Sequence, residues 1–353
     1  MATNNTTDAT ATIAATAATK QKESDVYDRQ IRLWGAEAQK KIQNSKVLYL
    51  HVTGSSSEVL KNLCLAGIAA TLCDPRPASA LDSSPCFFAH PTNNNNNNEG
   101  DENPTKKQKI KYDSVAHAVR PLVEELNPLL GSCPIIMKDI STLTGEDLKD
   151  FAVVIASQVP LEETVRISKL VPDACIFYTI DCFGMRGASM IDLGGKEFEY
   201  RPEQGKKLLD PIPIKDYVSL PDMVEVPLHK AINRFHKKGP PPTWIMYRSL
   251  LEYQRQSKQW LGDDGDGGDD NANAKKIIQE FLKNEQVTMT DEELNDLVTA
   301  GMAQVAPVCA VLGGMVGNEI IKIISGKGEP ANNTLLLDGG ACKAWTFLVK
   351  AKE

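Results

Sequence analysis

The segment His51-Val52-Thr53-Gly54-Ser55-Ser56-Ser57 follows the apolar run Val47–Val52 and precedes a helix-like stretch that ends at Gly67. In doubly wound α/β proteins a strand-to-helix turn of this kind binds phosphates. The N–H groups of the helix N-terminus point at the anion, and glycines let it come close. Here Gly54 is the only glycine in the turn. Serine hydroxyls at a helix N-terminus could still hold an anion, but the residues read more simply as a plain connection. Asp74 ends a second apolar run, IAATLCD, where such folds place an acid on a ribose. Aspartate is equally common as a turn former. The cofactor-binding candidates are therefore the degenerate loop residues His51, Gly54 and Ser56, together with Asp74.

Other reactive residue types fall into less suggestive patterns. The eight cysteines form no C-x-x-C pair, which leaves structural zinc unsupported. Most lie in apolar runs, as buried free thiols do, and a reducing compartment is expected. Cys309 in APVCAVLGG is the most tempting nucleophile, but no neighbouring base would lower its pKa. The five histidines show no metal spacing, and no metal site is expected. KKQKIK (Lys106–Lys111) has the composition of a nuclear import signal, so the nucleus is the expected compartment, with the cytoplasm as the alternative.

These residues need elements to position them. The 353 residues suggest about two structural units. Apolar and charged fractions of 42% and 24% are those of a globular chain. A net charge of −7 argues against nucleic-acid binding through bulk charge. Leu297–Asn318 is long and uncharged, but its glycines, Gln304 and Pro307 suit a buried helix rather than a membrane span. Strands are expected at Val47–Val52, Ile68–Asp74, Ala152–Ala156 and Cys175–Ile180, with a short one at Ile135–Met137. Helices are expected between them, at Glu58–Gly67, Asp113–Leu126 and Leu161–Leu170. A broken helix with Gly35 as the interruption precedes them, over Asp25–Gln43. The pattern then turns helical, at Leu228–His236, Trp244–Gln259 and Ala274–Asn284. It closes with Glu292–Ala300, the long apolar helix Ala306–Ser325 and strands at Thr334–Asp338 and Trp345–Val349. The fold class is α/β, a doubly wound, mostly parallel sheet with a small helical insertion. The expected organisation is a disordered tail over 1–24, a first part over 25–197 with a disordered insertion at about 90–109, the helical insertion 198–291 with an acidic linker at 262–273, and a last part over 292–353.

Two stretches carry a family resemblance. YDRQIRLWG (Tyr27–Gly35) with KVLYLHVTGSSSEVLKNLCLAGI (Lys46–Ile68) resembles the opening of ubiquitin-like-protein activating enzymes. MAQVAPVCAVLGGMVGNEIIKIISG (Met302–Gly326) with NNTLLLDG (Asn332–Gly339) resembles the end of their adenylation domain. LNP (Leu126–Pro128) and the FG-x-x-G turn (Phe183–Gly187) fit between. Within the family the likeness is to the shorter chains of the SUMO-activating branch.

The resemblance implies a Rossmann-like adenylation domain stripped of its chemistry. Active members carry glycines at the positions of His51, Thr53, Gly54 and Ser56, and an acid for Mg-ATP where this chain has Ser157-Gln158. Their Asn-x-x-Arg-Gln stretch has no counterpart after Asp74, and none of the cysteines has a catalytic setting. It implies a heterodimer with a larger catalytic subunit that holds ATP and Mg, binds SUMO and carries the thioester cysteine; this chain would bind no cofactor itself. Arg29 matches an arginine that reaches into the partner's ATP site, and Arg32, one helical turn on, is the secondary candidate. Three alternatives are an equivalent subunit of the neddylation type, a self-sufficient sulfur-carrier adenylating enzyme and a nicotinamide-dependent oxidoreductase. The last two would need the glycine-rich turn.

Overall fold

The computed structural model describes residues 26–89, 112–195, 197–204, 207–231, 239–262 and 269–350. The tail, the Asn93–Asn98 and Lys106–Lys111 runs and the core of the acidic linker lie outside these residues. Helices α1 (Asp28–Trp34) and α2 (Ala36–Gln43) are separated by Gly35, at φ 88°. Strand β1 (Lys46–Leu50) leads through the candidate turn into α3 (Gly54–Ala66), then β2 (Ala69–Cys73). Gly67 ends α3 in the left-handed region at φ 96°, where a Cβ would also come within 3.1 Å of the Tyr27 ring. There follow α4 (Val115–Leu126), β3 (Val153–Ala156), α5 (Leu161–Ser168), β4 (Ile176–Thr179), β5 (Asp181–Phe183) and β6 (Arg186–Asp192). The insertion holds α6 (Leu220–Glu225), α7 (Pro242–Ser257) and α8 (Asp269–Asn284). The chain closes with α9 (Asp291–Ala300), α10 (Ala306–Ser325), β7 (Thr334–Asp338) and β8 (Lys343–Thr346).

The main sheet runs β8-β7-β6-β4-β3-β1-β2, with β5 paired to β6. The pairs β1–β2, β1–β3 and β3–β4 are parallel, and the side beyond β4 is antiparallel. Alternate residues of one strand enter different cores. Leu48 and Leu50 join α5 to α9 on one face, whereas Val47 and Tyr49 join α2, α3, α4 and α10 on the other. That division is the period of a strand buried on both sides.

The structure corrects several expected boundaries. The helix expected over Asp113–Leu126 begins at Val115, capped by Ser114, which accepts from the His117 N–H. Of the helix expected over Leu228–His236, Leu228–Lys230 form a 3₁₀ turn ending at Ala231, and 232–236 lie outside the described residues. Residues 269–273, assigned to the acidic linker, already belong to α8. Ile135 makes a single bridge to Leu72 in place of a strand. The insertion is also less separate than its composition suggests. Trp244 and Tyr247 of α7 lie in the same core as Leu48 and Phe177.

Candidate functional site

The strand order reverses at β1, with β2 on one side and β3 on the other. The crevice beyond the carboxyl ends of β1 and β3 is where an open α/β sheet receives a ligand. His51–Ser57 and Ser157-Gln158 both reach it, so the topology brings the two suspect segments together.

They meet through their own side chains at the floor of the crevice. Thr53 caps α3 in a reciprocal pair with Ser56, whose hydroxyl accepts from the Thr53 N–H at 2.8 Å. The same Ser56 hydroxyl donates to the His51 carbonyl at 3.1 Å. The Ser157 hydroxyl lies 2.7 Å from Thr53 Oγ1 and 3.3 Å from Ser55 Oγ, and donates to the Ile180 carbonyl at 2.6 Å. These hydroxyls are buried and satisfy one another, so phosphate would find the positions already taken. The helix N-terminus is occupied as well. Gln304 Oε1 accepts from the Ser55 N–H at 3.2 Å, and any Cβ on Gly54 would stand 2.5 Å from that oxygen. Gly54 thus admits a side chain of this protein where an active loop would admit a nucleotide.

Asp74, expected on a ribose, is buried and turned inward. It accepts from the Val52 N–H at 2.7 Å and from Arg76 Nε and Nη2 at 2.9 and 2.7 Å. The loop backbone and an arginine therefore use its carboxyl oxygens. Burial and the Arg76 charge push His51 down to about 4, so the imidazole is neutral at physiological pH. Asp181 lies behind Gln158, accepting from the Gln158 N–H at 2.7 Å and the Tyr247 hydroxyl at 2.6 Å. Burial pushes its carboxyl up to about 6 against those bonds. Among the described residues, no three His, Cys, Asp or Glu side chains cluster as a metal site. Cys309 is buried, and its thiol faces Gln304 Oε1 at 3.7 Å rather than a base.

Arg29 and Arg32 take no part in these bonds. Both are exposed on α1, and Arg32 pairs with Asp28 at 2.8 Å. Their helix is tied to the body by the resemblance motifs themselves. Asn127 of LNP donates to Tyr27 Oη at 2.8 Å and to the Cys64 carbonyl at 2.7 Å. Sequence reading missed Gln304, Arg76 and Asp181. Arg76, two residues after Asp74, was the one with a local signal.

No family model matches the chain. Its relatives match over most of its length. It is 29% identical over 328 residues to SUMO-activating enzyme subunit 1 of Dictyostelium discoideum, covering 90% of each protein. The same-named protein of Xenopus tropicalis is 29% identical over 344 residues, covering 90% of this chain and 93% of that protein. Over nine-tenths of its length the chain is thus similar to SUMO-activating enzyme subunit 1 proteins. A third relative, SUMO-activating enzyme subunit 1B-1 of Arabidopsis thaliana, is 28% identical over 328 residues, with 90% and 93% covered. In this chain the turn after β1 and the N-terminus of α3 are occupied by the protein's own side chains.

Proposed function

We propose that this chain is the non-catalytic subunit of a heterodimeric SUMO-activating enzyme. Its larger partner holds ATP and Mg, binds the C-terminus of SUMO and carries the thioester cysteine. The assembled enzyme adenylates the C-terminal glycine of SUMO, forms the thioester and passes SUMO on for conjugation. The observation that carries the inactive role is Gln304 Oε1 on the Ser55 N–H, backed by the Thr53–Ser55–Ser157 hydroxyl cluster. Phosphate binding needs free backbone amides or cations, and an acid for the metal. The Ser55 and Ser56 amides here are used, and Ser157-Gln158 supply no carboxylate. Exposed Arg29 is the group this chain contributes to chemistry, through the partner's ATP site. A nuclear location rests on Lys106–Lys111.

The test is ATP–pyrophosphate exchange with SUMO present. The chain alone is expected to give none, and the chain with the larger subunit to give both exchange and thioester. Robust exchange by the single chain would overturn the assignment.

A further inference from the structure

Helix α1 carries Arg29, yet it buries none of its seven residues. A helix this short is not stable by itself, and without a buried face it is not placed by core packing. Hydrogen bonds along one side place it instead. Tyr27, Gln30 and Trp34 recur at i, i+3 and i+7, which is a single helical face. All three lead to the last turn of α3. Buried Tyr27 accepts at Oη from Asn127 Nδ2 at 2.8 Å, and the same nitrogen donates to the Cys64 carbonyl at 2.7 Å. Gln30 Nε2 donates to the Leu65 carbonyl at 3.2 Å. Trp34 Nε1 donates to Gln39 Oε1 at 2.8 Å, and Gln39 Nε2 to the Ala66 carbonyl at 3.0 Å. These three carbonyls are among the last four of α3, which the helix cannot pair internally. Gly67 leaves room for the arrangement, since a Cβ there would stand 3.1 Å from Tyr27 Oη and 3.3 Å from Gln39 Nε2. Asn127 and Gln39 are both buried, and Asn127 uses both of its amide protons. At 100° per residue, Arg29 and Arg32 fall on the opposite side of α1, and both are exposed.

We infer that Asn127 and Gln39, with Tyr27 and Trp34, are positioning residues for Arg29: they clasp α1 to the end of α3 and so fix where the guanidinium points. The inference rests on the role proposed above for Arg29 in the partner's ATP site. Apolar contact is non-directional and would let a surface helix roll about its axis. Hydrogen bonds at both ends and the middle of α1 fix its rotation as well as its place. A charge that acts on a reacting group gains its effect from such placement, and small displacements are costly.

The test is ATP–pyrophosphate exchange by the full heterodimer at saturating larger subunit. Tyr27→Phe and Trp34→Phe each delete one bond of the clasp and keep a ring in place. Together they should lower the maximal rate about tenfold, with the SUMO concentration at half-maximal rate unchanged. In an Arg29→Ala background the same pair should change the rate by no more than about twofold, because α1 then has no arginine to position. A clasp that only stabilises the chain would lower the rate equally in both backgrounds, and that result overturns the inference. A wild-type rate from the pair, where Arg29→Ala alone is slow, also overturns it and leaves the role of Arg29 standing. A wild-type rate from Arg29→Ala overturns that role, and the inference with it. If the pair does not assemble, the single variants carry the same comparison with an effect of about threefold.

Discussion

Asp181 is a buried carboxyl with two hydrogen-bond donors, and its folded pKa of about 6 stands above the ordinary 3.8. Between those values the folded chain keeps a proton that the unfolded chain has released. The stability contribution therefore falls as pH rises through about 4 to 6, and the penalty is complete at neutral pH. Asp181→Asn keeps an acceptor for the Gln158 N–H, offers a donor to Tyr247 Oη and removes the charge. It should stabilise the chain by about 1–3 kcal/mol at pH 7.5, an advantage that disappears near pH 4. His51 works in the opposite sense. Its folded pKa of about 4 lies below the ordinary 6.5, so its contribution is lost as pH falls through that interval. Urea melts of wild type and variant at matched pH separate the two; a variant less stable at every pH would show that the carboxylate is needed. Arg29 supports a different expectation. In the reconstituted enzyme, Arg29→Ala should slow ATP–pyrophosphate exchange roughly a hundredfold or more, the size of a lost oxyanion contact of about 2–4 kcal/mol. Arg29→Lys should recover part, because an ammonium lacks the planar fork. Wild-type exchange by an assembled Arg29→Ala complex would reduce Arg29 to a surface charge worth about 0–1 kcal/mol.

Helices α3 and α10 pack together in one core, and two adjacent glycines on α10 separate packing from propensity. A Cβ on Gly313 would stand 2.5 Å from Glu58 Cβ and 3.1 Å from the Ser55 carbonyl, whereas one on Gly314 meets nothing within 4 Å. Gly313→Ala should force the helices apart and cost about 1–3 kcal/mol. Gly314→Ala should gain about 0.5–1 kcal/mol from helix propensity alone. Equal effects in denaturant titrations would mean that the helices do not meet where the structure puts them. The same elements show what the sequence discloses. Strands β1 to β4 are legible because a strand buried on both faces is a near-continuous apolar run. Strand β6, RGASMID, escapes notice because its small and charged residues lack that signature; its partners β5 and β7 define it. The turn and Asp74 could be found by position after a strand. Gln304 could not, because the N–H it occupies lies 249 residues earlier in the chain. Its side chain carries no local mark of that role, and only the fold brings the two together.

At the scale of the whole molecule, α10 is the feature a single chain leaves unfinished. It is a 20-residue helix apolar enough to pass for a membrane span, yet a little under half of its most apolar stretch is buried. Its inner residues, Val308, Cys309, Leu312, Val316 and Ile320, are sealed in the core with α3. The outer side carries Ala306, Pro307, Ala310 and Val311 without a charge among them, and Val311 is 51% exposed. Met185, 47% exposed, adjoins this end, since a Cβ on Gly339 would touch both Met185 and the helix residue Val308. A contiguous apolar surface with no charge marks a place where another protein sits, and in the proposed enzyme that protein is the larger subunit. Val311→Glu tests this without disturbing the core. Because the side chain points outward, the isolated variant should keep its stability within about 0.5 kcal/mol. In the assembly the new carboxylate would be buried against an apolar surface, and affinity for the partner should fall at least about tenfold, together with exchange activity. Gel filtration of the co-expressed subunits reads the first effect, and exchange at saturating partner separates it from a catalytic defect. A Val311→Glu chain that assembles with wild-type affinity would move the interface elsewhere and leave the bare face of α10 unexplained.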